Sequence, residues 1–364
     1  GEKRQRVKFS EAWKNPVLWN AENPQLYTQT LSLNVDGSPA DTLPERPFGF
    51  REAWVENGEF RLNGLKTRYR MLTNPRLEHA AFANPRAAEQ YVSGLKHLNF
   101  DTVRFNPNIM MNSSSLNARE YLRACDRLGV YNLFPMPPYD NDEMSLYREG
   151  VEKFFEHYGQ YTSIIMWYTD FNTCHYQRNQ DPYYLNDTEY LPERVIPPRR
   201  KAMTAERTIR ALDSTREVFQ HAGGNSGKIF TSMNYQSYGT PLQEQEDWPK
   251  IWSANHTQPL MVVESGFPYP FQFLYFDGPK ENWLFAENAS RFFGDGVYRA
   301  EKRPRIRGEF FAKLTSPLPP PNYVRVSAEH YRRVLRAWRG YDVSALGDFT
   351  TLRILFADRG LYPW

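Results

Sequence analysis

The sequence predicts an α/β fold, a (β/α)8 TIM barrel with a partial N-terminal β-sandwich segment. From about residue 67 onward, short apolar runs alternate with amphipathic helical segments, the order that builds a parallel sheet. Eight strand segments occur in this part, the number that closes a barrel through right-handed crossovers. Before residue 57 the pattern is one of alternating strands and tight turns. We therefore expect two units, a sandwich end with its linker at 1–56 and the barrel at 57–364.

The N-terminal unit begins in mid-pattern. Leu31, Leu33 and Val35 share one face of a strand, and Asp36-Gly37 follows as a turn. This is too little sheet to fold alone, so it is expected to end a sandwich or to pack on the next domain. We expect the chain to be a piece of a longer protein with further β-sandwich domains. Asn63-Gly64 then predicts a tight hairpin at the entrance to the barrel.

The barrel elements follow in chain order. Asn84-Pro85 caps and opens the first helix, and a second runs from Asn117 to Leu128, where Gly129 closes it. Three more helices are expected at 145–158, 201–212 and 327–338. The eight strands are expected at 67–72, 101–105, 130–134, 163–167, 217–220, 228–233, 260–263 and 343–346. Two long segments rich in Pro, Tyr and Asn, 175–198 and 267–321, follow strand ends and are typical of loops that shape a substrate site.

The seventh strand carries the most informative residue. Leu260 to Val263 form a continuous apolar run that ends on the carboxylate of Glu264, and Gly266 follows closely. Catalytic side chains of barrels project from the C-terminal strand ends. A carboxylate held there suits a nucleophile or a general acid, although a Glu paired with an arginine at the rim is the simpler alternative.

Composition excludes several functions. The net charge of +3 over 364 residues is too small to indicate nucleic-acid binding. No apolar run approaches the ~20 residues of a membrane span. The two cysteines, Cys125 and Cys174, and the seven histidines show no metal-ligand spacing, so we expect neither metal nor cofactor. Aromatic residues make up 15%, which suits the apolar faces of sugars as well as a core. Location is undetermined; a secreted or periplasmic protein is favoured if the full-length chain carries a signal peptide.

Several motifs, in order along nearly the whole chain, resemble glycoside hydrolase family two, which contains β-galactosidases, β-glucuronidases and β-mannosidases. They are Gly49-Phe50-Arg51, the segments 18–27, 60–64, 98–104, 125–130 and 162–167, and Leu212-Asp213-Ser214-Thr215-Arg216. The resemblance implies an immunoglobulin-like sandwich before a catalytic barrel. It also implies a retaining β-glycosidase that acts on a polysaccharide or oligosaccharide.

The resemblance also assigns site residues. Glu264 falls where the family places its nucleophile, and Arg104 where an arginine lines the active site. Tyr235 falls near a tyrosine that hydrogen-bonds the nucleophile. The remaining expected substrate contacts are Trp167, Asn172, His175 and Asn234. Arg104 and the cluster Arg303, Arg305 and Arg307 are compatible with a uronate or sulfated sugar, and a solvated surface explains that cluster equally well.

The acid/base motif departs from the family. After the strand-four tryptophan the family has an Asn-Glu pair, where this chain has Phe171 and Asn172. Asp170, two residues before Asn172, is the favoured acid/base, since a carboxylate among aromatic groups acquires the raised pKa that the role needs. Its simpler role is an ion pair with Arg104 or Arg178.

Two further interpretations stay open. His175, or an acid from a long loop such as Glu244 or Glu246, would supply the proton instead. Alternatively, the barrel is catalytically degenerate and serves as a carbohydrate-binding or scaffold module. A lyase or transferase would use the same site.

Overall fold

The computed structural model describes most of the N-terminal unit and a parallel sheet with helices that follow it. The described residues are 7–8, 10–73, 84–97, 99–104, 118–137, 144–169, 196–221, 223–232, 250–251, 253–254, 257–265 and 345–348. The helix expected at 327–338, the long segment 267–321 and residues 175–195 of the other long segment lie outside them.

The first part of the N-terminal unit contains two antiparallel strand pairs. Strand β1 (Tyr27–Gln29) pairs with β4 (Arg46–Phe48), and β2 (Ser32–Val35) pairs with β3 (Ser38–Thr42). The turn at Asp36-Gly37 is confirmed, because both residues adopt positive φ angles of 51° and 80°. The face formed by Leu31, Leu33 and Val35 is exposed in the described chain.

A three-stranded antiparallel sheet leads into the barrel. It consists of β5 (Ala53–Glu56), β6 (Glu59–Leu62) and β7 (Leu65–Lys66). The Asn63-Gly64 hairpin between β6 and β7 is confirmed, with φ angles of 52° and 85°. Since β5 pairs with β6, residues on both sides of the expected boundary at residue 56 share one sheet.

Eight strands form one parallel sheet. They are β8 (Tyr69–Thr73), β9 (Thr102–Arg104), β10 (Tyr131–Pro135), β11 (Ile164–Thr169), β12 (Glu217–Gln220), β13 (Phe230–Ser232), β14 (Leu260–Ser265) and β15 (Ala345–Asp348). Their order is β12-β11-β10-β9-β8-β15-β14-β13, and every pairing is parallel. This is the strand order of a (β/α)8 barrel, with β12 and β13 at the two ends of the hydrogen-bonded ladder. Thr231 of β13 bridges those ends, because its Oγ1 donates to the Gln220 carbonyl at 2.6 Å.

Four helices follow strands in the described part of the chain. They are α1 (Pro85–His97), α2 (Ala118–Leu128), α3 (Met144–Tyr158) and α4 (Ile196–Leu212). The expected cap of α1 is confirmed, since Asn84 Oδ1 accepts the N–H of Arg86 at 2.9 Å. Gly129 ends α2 with a φ of 77°, and a Cβ there would lie 2.5 Å from the Ala21 carbonyl oxygen, so both conformation and space require glycine.

Side chains of the parallel sheet divide between two apolar clusters. The outer cluster joins strand residues such as Val103, Phe134 and Val218 to buried residues of the helices. The inner cluster contains strand residues such as Tyr69 and Leu133. It continues into residues of the N-terminal unit that include Trp19, Phe60 and Leu62. The N-terminal unit therefore packs against the inner face of the parallel sheet.

Asp126 is a buried carboxylate at this contact. Its Oδ1 accepts the Ser163 N–H at 2.7 Å, and its main-chain carbonyl accepts Trp19 Nε1–H at 2.8 Å. Burial raises the pKa of the Asp126 carboxyl from 3.8 to about 6, although hydrogen bonds from Ser163 act in the opposite direction. The folded state thus binds a proton more tightly than the unfolded state, and ionisation above this pKa destabilises the fold.

We expect Asp126→Asn to remove this dependence on pH. The rise from 3.8 to about 6 corresponds to roughly 3 kcal/mol, which is present below pH 4 and lost as the pH rises through 6. The asparagine Oδ1 keeps the acceptor for Ser163, so urea unfolding at pH 4 to 8 should show a flatter profile than the wild type. Glu152→Gln, at an exposed position of α3, is the control. Parallel profiles for the wild type and Asp126→Asn would contradict the assignment.

Candidate active site

The site is placed by the direction of the parallel strands. Because all eight strands run the same way, their carboxyl ends meet at one edge of the sheet. Strand β9 ends on Arg104, β11 on Thr169 and β14 on Ser265, one residue after Glu264. Arg104 and Glu264 therefore belong to strand ends at the same edge, and β11 ends there one residue before Asp170 in the sequence.

Arg104 is fully buried at this edge. Its neighbour Val103 lies in the outer cluster, so alternation directs Arg104 to the inner face, as expected from the sequence. The guanidinium carbon of Arg104 lies 5.7 Å from the centre of the Tyr168 ring, within cation–π range. A positive charge on the inner face is thus held in place by a side chain of β11.

Tyr168 extends this contact to the next strand. Its ring stacks on Phe219 of β12, with centroids 5.2 Å apart and planes inclined by 26°. His221 follows β12, and its ring lies 6.4 Å from that of Tyr168. The main-chain N–H of His221 donates to the Thr169 carbonyl at 3.3 Å. We name Arg104, Tyr168, Phe219 and His221 the rim cluster.

Three members of the rim cluster, Tyr168, Phe219 and His221, were not predicted as site residues from the sequence. His221 directly follows the end of β12, and a strand-end position is the signal that could have identified it, as it did Glu264. Tyr168 and Phe219 look like ordinary core residues in the sequence, and only the pairing of β11 with β12 brings their rings together.

Trp167, an expected substrate contact, lies on the outer face of the sheet. Its side chain is fully buried in the outer cluster, and its Nε1–H donates to Asp213 Oδ2 at 2.8 Å. The reason is a bulge in β11: Ile164 pairs with Asn132 of β10, but Met166 pairs with Leu133, which leaves Ile165 as an extra residue. One extra residue reverses the alternation beyond it, so Trp167 faces the helices and Tyr168 the interior.

Strand β14 has a similar irregularity at Glu264. Its Val262 pairs with Leu346 of β15 and its Ser265 pairs with Asp348, so three steps along β14 match two along β15. The extra residue lies between Val262 and Ser265, the interval that contains Glu264. Bulges at barrel rims and beside active sites re-aim side chains. Both strands expected to carry a catalytic carboxylate are therefore bulged.

The other expected site residues lie outside the described residues: Asp170, Asn172, His175, Asn234 and Tyr235. The same holds for the alternative acids Glu244 and Glu246 and for Arg178. Within the described ranges, no three His, Cys, Asp or Glu side chains are grouped to hold a metal ion. In that same part of the chain, no helix combines the length and apolar character of a membrane span.

Comparisons with known proteins agree with this architecture. The family model described as Glycosyl hydrolases family 2 matches residues 2–51. A curated β-galactosidase from Thermoanaerobacterium thermosulfurigenes is 23% identical over 266 residues, 71% of this chain and 34% of that protein. The chain is therefore similar to family 2 glycosyl hydrolases at its N-terminus and to a β-galactosidase over most of its length.

Solved structures show the shared fold. The FMN-binding β-glucuronidase from Facaelibacterium prausnitzii L2-6 superposes with a TM-score of 0.57 at 14% identity, covering 92% of this chain and 45% of that chain. The Bacteroides uniformis β-glucuronidase gives a TM-score of 0.51 at 20% identity, with coverage of 69% and 31%. The chain thus spans about a third of the length of the curated relative and less than half of either structure.

Proposed function

We propose that this chain carries the active site of a retaining β-glycosidase. The observation that carries the proposal is the common edge at which Arg104 and the ends of the two bulged strands, β11 and β14, meet. Similarity to family 2 supports it, since the family model matches residues 2–51 and the curated relatives are β-galactosidases. In this proposal the barrel closes between β12 and β13, where Thr231 already bridges the two strands.

The proposed reaction has two displacements. Glu264 attacks the anomeric carbon while Asp170 protonates the departing oxygen, and the sugar becomes bound to Glu264 as an ester. Asp170 then deprotonates a water molecule, which displaces Glu264 and restores the original configuration. This chemistry requires the two carboxyl groups to lie about 5–5.5 Å apart.

The rim cluster fits a sugar. Aromatic rings such as Tyr168 offer flat apolar surfaces, and the Arg104 guanidinium offers a cationic donor that is compatible with a carboxylate or sulfate on the sugar. A positive charge near Glu264 also favours the ionised form that a nucleophile needs.

Trapping of the covalent glycosyl-enzyme intermediate tests the proposal directly. The protein is incubated with aryl β-galactosides and β-glucuronides, and proton NMR follows the anomeric configuration of the first product. An activated fluorosugar, which slows the second displacement, should add one sugar mass to a peptide that contains Glu264. An inverted first product, or a label on another residue, would refute the retaining mechanism.

A carbohydrate-binding module without hydrolysis is the second candidate, because Asn172 occupies the position of the family's acid. It predicts saturable binding of a glycan by calorimetry with no turnover of any aryl glycoside. Binding with turnover supports the enzyme instead.

Arg104→Met should lower kcat/KM by about 10², since a preorganised cationic donor on the substrate is lost. Methionine keeps most of the buried volume and removes a buried charge, so the thermal midpoint should change little. Arg127→Met, at an exposed ion pair of α2, is the matched control and should leave kcat/KM unchanged. An Arg104→Met variant that loses stability but keeps its specific activity would show that Arg104 is structural.

A further inference from the structure

The bulge in β11 is held from outside the sheet by two arginines. Arg216 Nε donates to the Ile164 carbonyl at 2.7 Å, and Arg51 Nη2 donates to the same carbonyl oxygen. Ile164 is the last residue before the extra residue Ile165. Strand β12 pairs with β11 only from Met166 onward, so the Arg216 side chain occupies the place where a longer β12 would donate an N–H.

The same arginines hold the segment that leads into β11. Arg51 Nε donates to the Thr162 carbonyl at 2.7 Å. Arg216 Nη2 donates to the Gly159 and Tyr161 carbonyls at 2.8 and 3.2 Å. Four carbonyls at the start of β11 are thus oriented by two side chains that come from the N-terminal unit and from the α4–β12 connection.

Asp213 connects Arg216 to Trp167, which lies beyond the bulge in β11. Its Oδ2 accepts Arg216 Nη1 at 2.7 Å and Trp167 Nε1 at 2.8 Å. The Arg216 guanidinium also lies 5.1 Å from the centre of the Trp167 ring. Arg216 therefore contacts β11 on both sides of Ile165, at the Ile164 carbonyl and at the Trp167 ring. We name Arg51, Asp213 and Arg216 the bulge clamp.

The bulge clamp consists of charged side chains. Burial, and then the positive charge of Arg216, lower the pKa of Arg51 to about 9, so the Arg51 guanidinium is still protonated at neutral pH. Burial alone would raise the pKa of the Asp213 carboxyl. The Arg216 charge, with hydrogen bonds from Thr215 and Trp167, holds it below its usual value. Two guanidinium groups thus donate to one carbonyl oxygen beside one carboxylate. Burying charged groups costs free energy, so we interpret the arrangement as support for the bulge.

We propose that Arg216 and Arg51 are positioning residues that hold the bulge of β11 and so direct the side chains at its C-terminal end. The contacts that carry this are those of both guanidinium groups with the Ile164 carbonyl and that of Arg216 with Trp167. The role rests on the proposed glycosidase function, in which Asp170 follows β11. Loss of the clamp weakens the preference for the bulged register, which misplaces the proton donor without removing it.

Arg216→Lys is the first test, with Arg210→Lys as the matched control. Lysine keeps the charge beside Asp213 but cannot donate to Ile164, Gly159 and Tyr161 at once. Arg210 is also a half-buried arginine of this region, paired with Glu206 and Glu217, but its main-chain acceptor is the Val218 carbonyl of β12. Both variants lose a comparable set of contacts, and only the first alters the support of β11.

Two readouts are compared. The first is the ratio of kcat/KM for an alkyl β-glycoside to that for a dinitrophenyl β-glycoside. Because a misplaced acid harms only the poor leaving group, we expect this ratio to fall about tenfold or more in Arg216→Lys and to be unchanged in Arg210→Lys. The second readout is amide hydrogen exchange in residues 166–169, which should accelerate about tenfold in Arg216→Lys alone.

The outcomes separate the clamp from the glycosidase function. If the wild type turns over no glycoside, the proposed function fails, and with it the positioning of an acid; the exchange data still decide whether the clamp holds the bulge. Exchange no faster than in Arg210→Lys overturns the clamp even in an active enzyme. Faster exchange with an unchanged ratio overturns the positioning role. Should Arg216→Lys not fold, Arg51→Lys tests the same carbonyl from the other segment, with the same expected direction.

Discussion

Glu264→Gln is expected to lower kcat/KM for every β-glycoside by about 10⁴ or more, whatever the leaving group. The amide has nearly the same shape as the carboxylate but cannot form the glycosyl ester, so the first displacement is lost. Steady-state turnover of alkyl and aryl glycosides measures this. Glu56→Gln at the end of β5, in the sheet that precedes the barrel, is the matched control and should retain wild-type turnover.

Glu264→Ala adds a stereochemical test. The vacated space admits azide, which should attack an activated β-glycoside once and release a glycosyl azide of inverted configuration, because each displacement inverts the anomeric carbon. Residual turnover within tenfold of the wild type, or an azide product of retained configuration, would show that Glu264 is not the nucleophile.

Asp170→Asn should have the second largest effect, and it should depend on the leaving group. Turnover of alkyl glycosides is expected to fall by 10² to 10⁴, about the usual contribution of general acid catalysis. Dinitrophenyl glycosides need little protonation, so they should still release their first product in a burst and then stall at the glycosyl ester. Stopped-flow absorbance of the released phenol measures both phases.

Azide separates the roles of the two carboxylates. In Asp170→Asn it should restore the second step, since a small anion needs no general base, and the product should be a glycosyl azide of retained configuration after two displacements. Equal losses for all leaving groups, with no rescue, would exclude Asp170. His175, Glu244 and Glu246 would then be replaced in turn, and the variant that shows the dependence on leaving group and the rescue by azide would identify the acid/base.

Much of the framework was predictable because local chemistry determines it. Asn63-Gly64 adopts the positive φ angles that a two-residue hairpin requires, and few other residue pairs tolerate them. Asn84 caps α1 because its side chain reaches free N–H groups of the first turn. The apolar runs predicted all eight strands of the described sheet, with ends shifted by at most two residues, since a parallel strand buried on both faces needs a continuous apolar segment.

The direction of side chains within a strand was not predictable in the same way. Counting residues along β11 by strict alternation from Ile164 places Trp167 inside the barrel, and the bulge at Ile165 places it outside. Nothing in the local sequence Ile164-Ile165-Met166-Trp167 marks that insertion.

The sequence by itself therefore determined the order of strands, the capped helices, the hairpins and the strand ends that carry Arg104 and Glu264. These depend on residues that are close together in the chain. The tertiary structure decided the register of β11, the position of Trp167 and the meeting of Arg104 with Tyr168. The register is supported by Arg51, which is 113 residues from its acceptor at Ile164, and by Arg216, which is 52 residues from it. Contacts over such separations arise only when the segments fold against one another, so no local pattern records them.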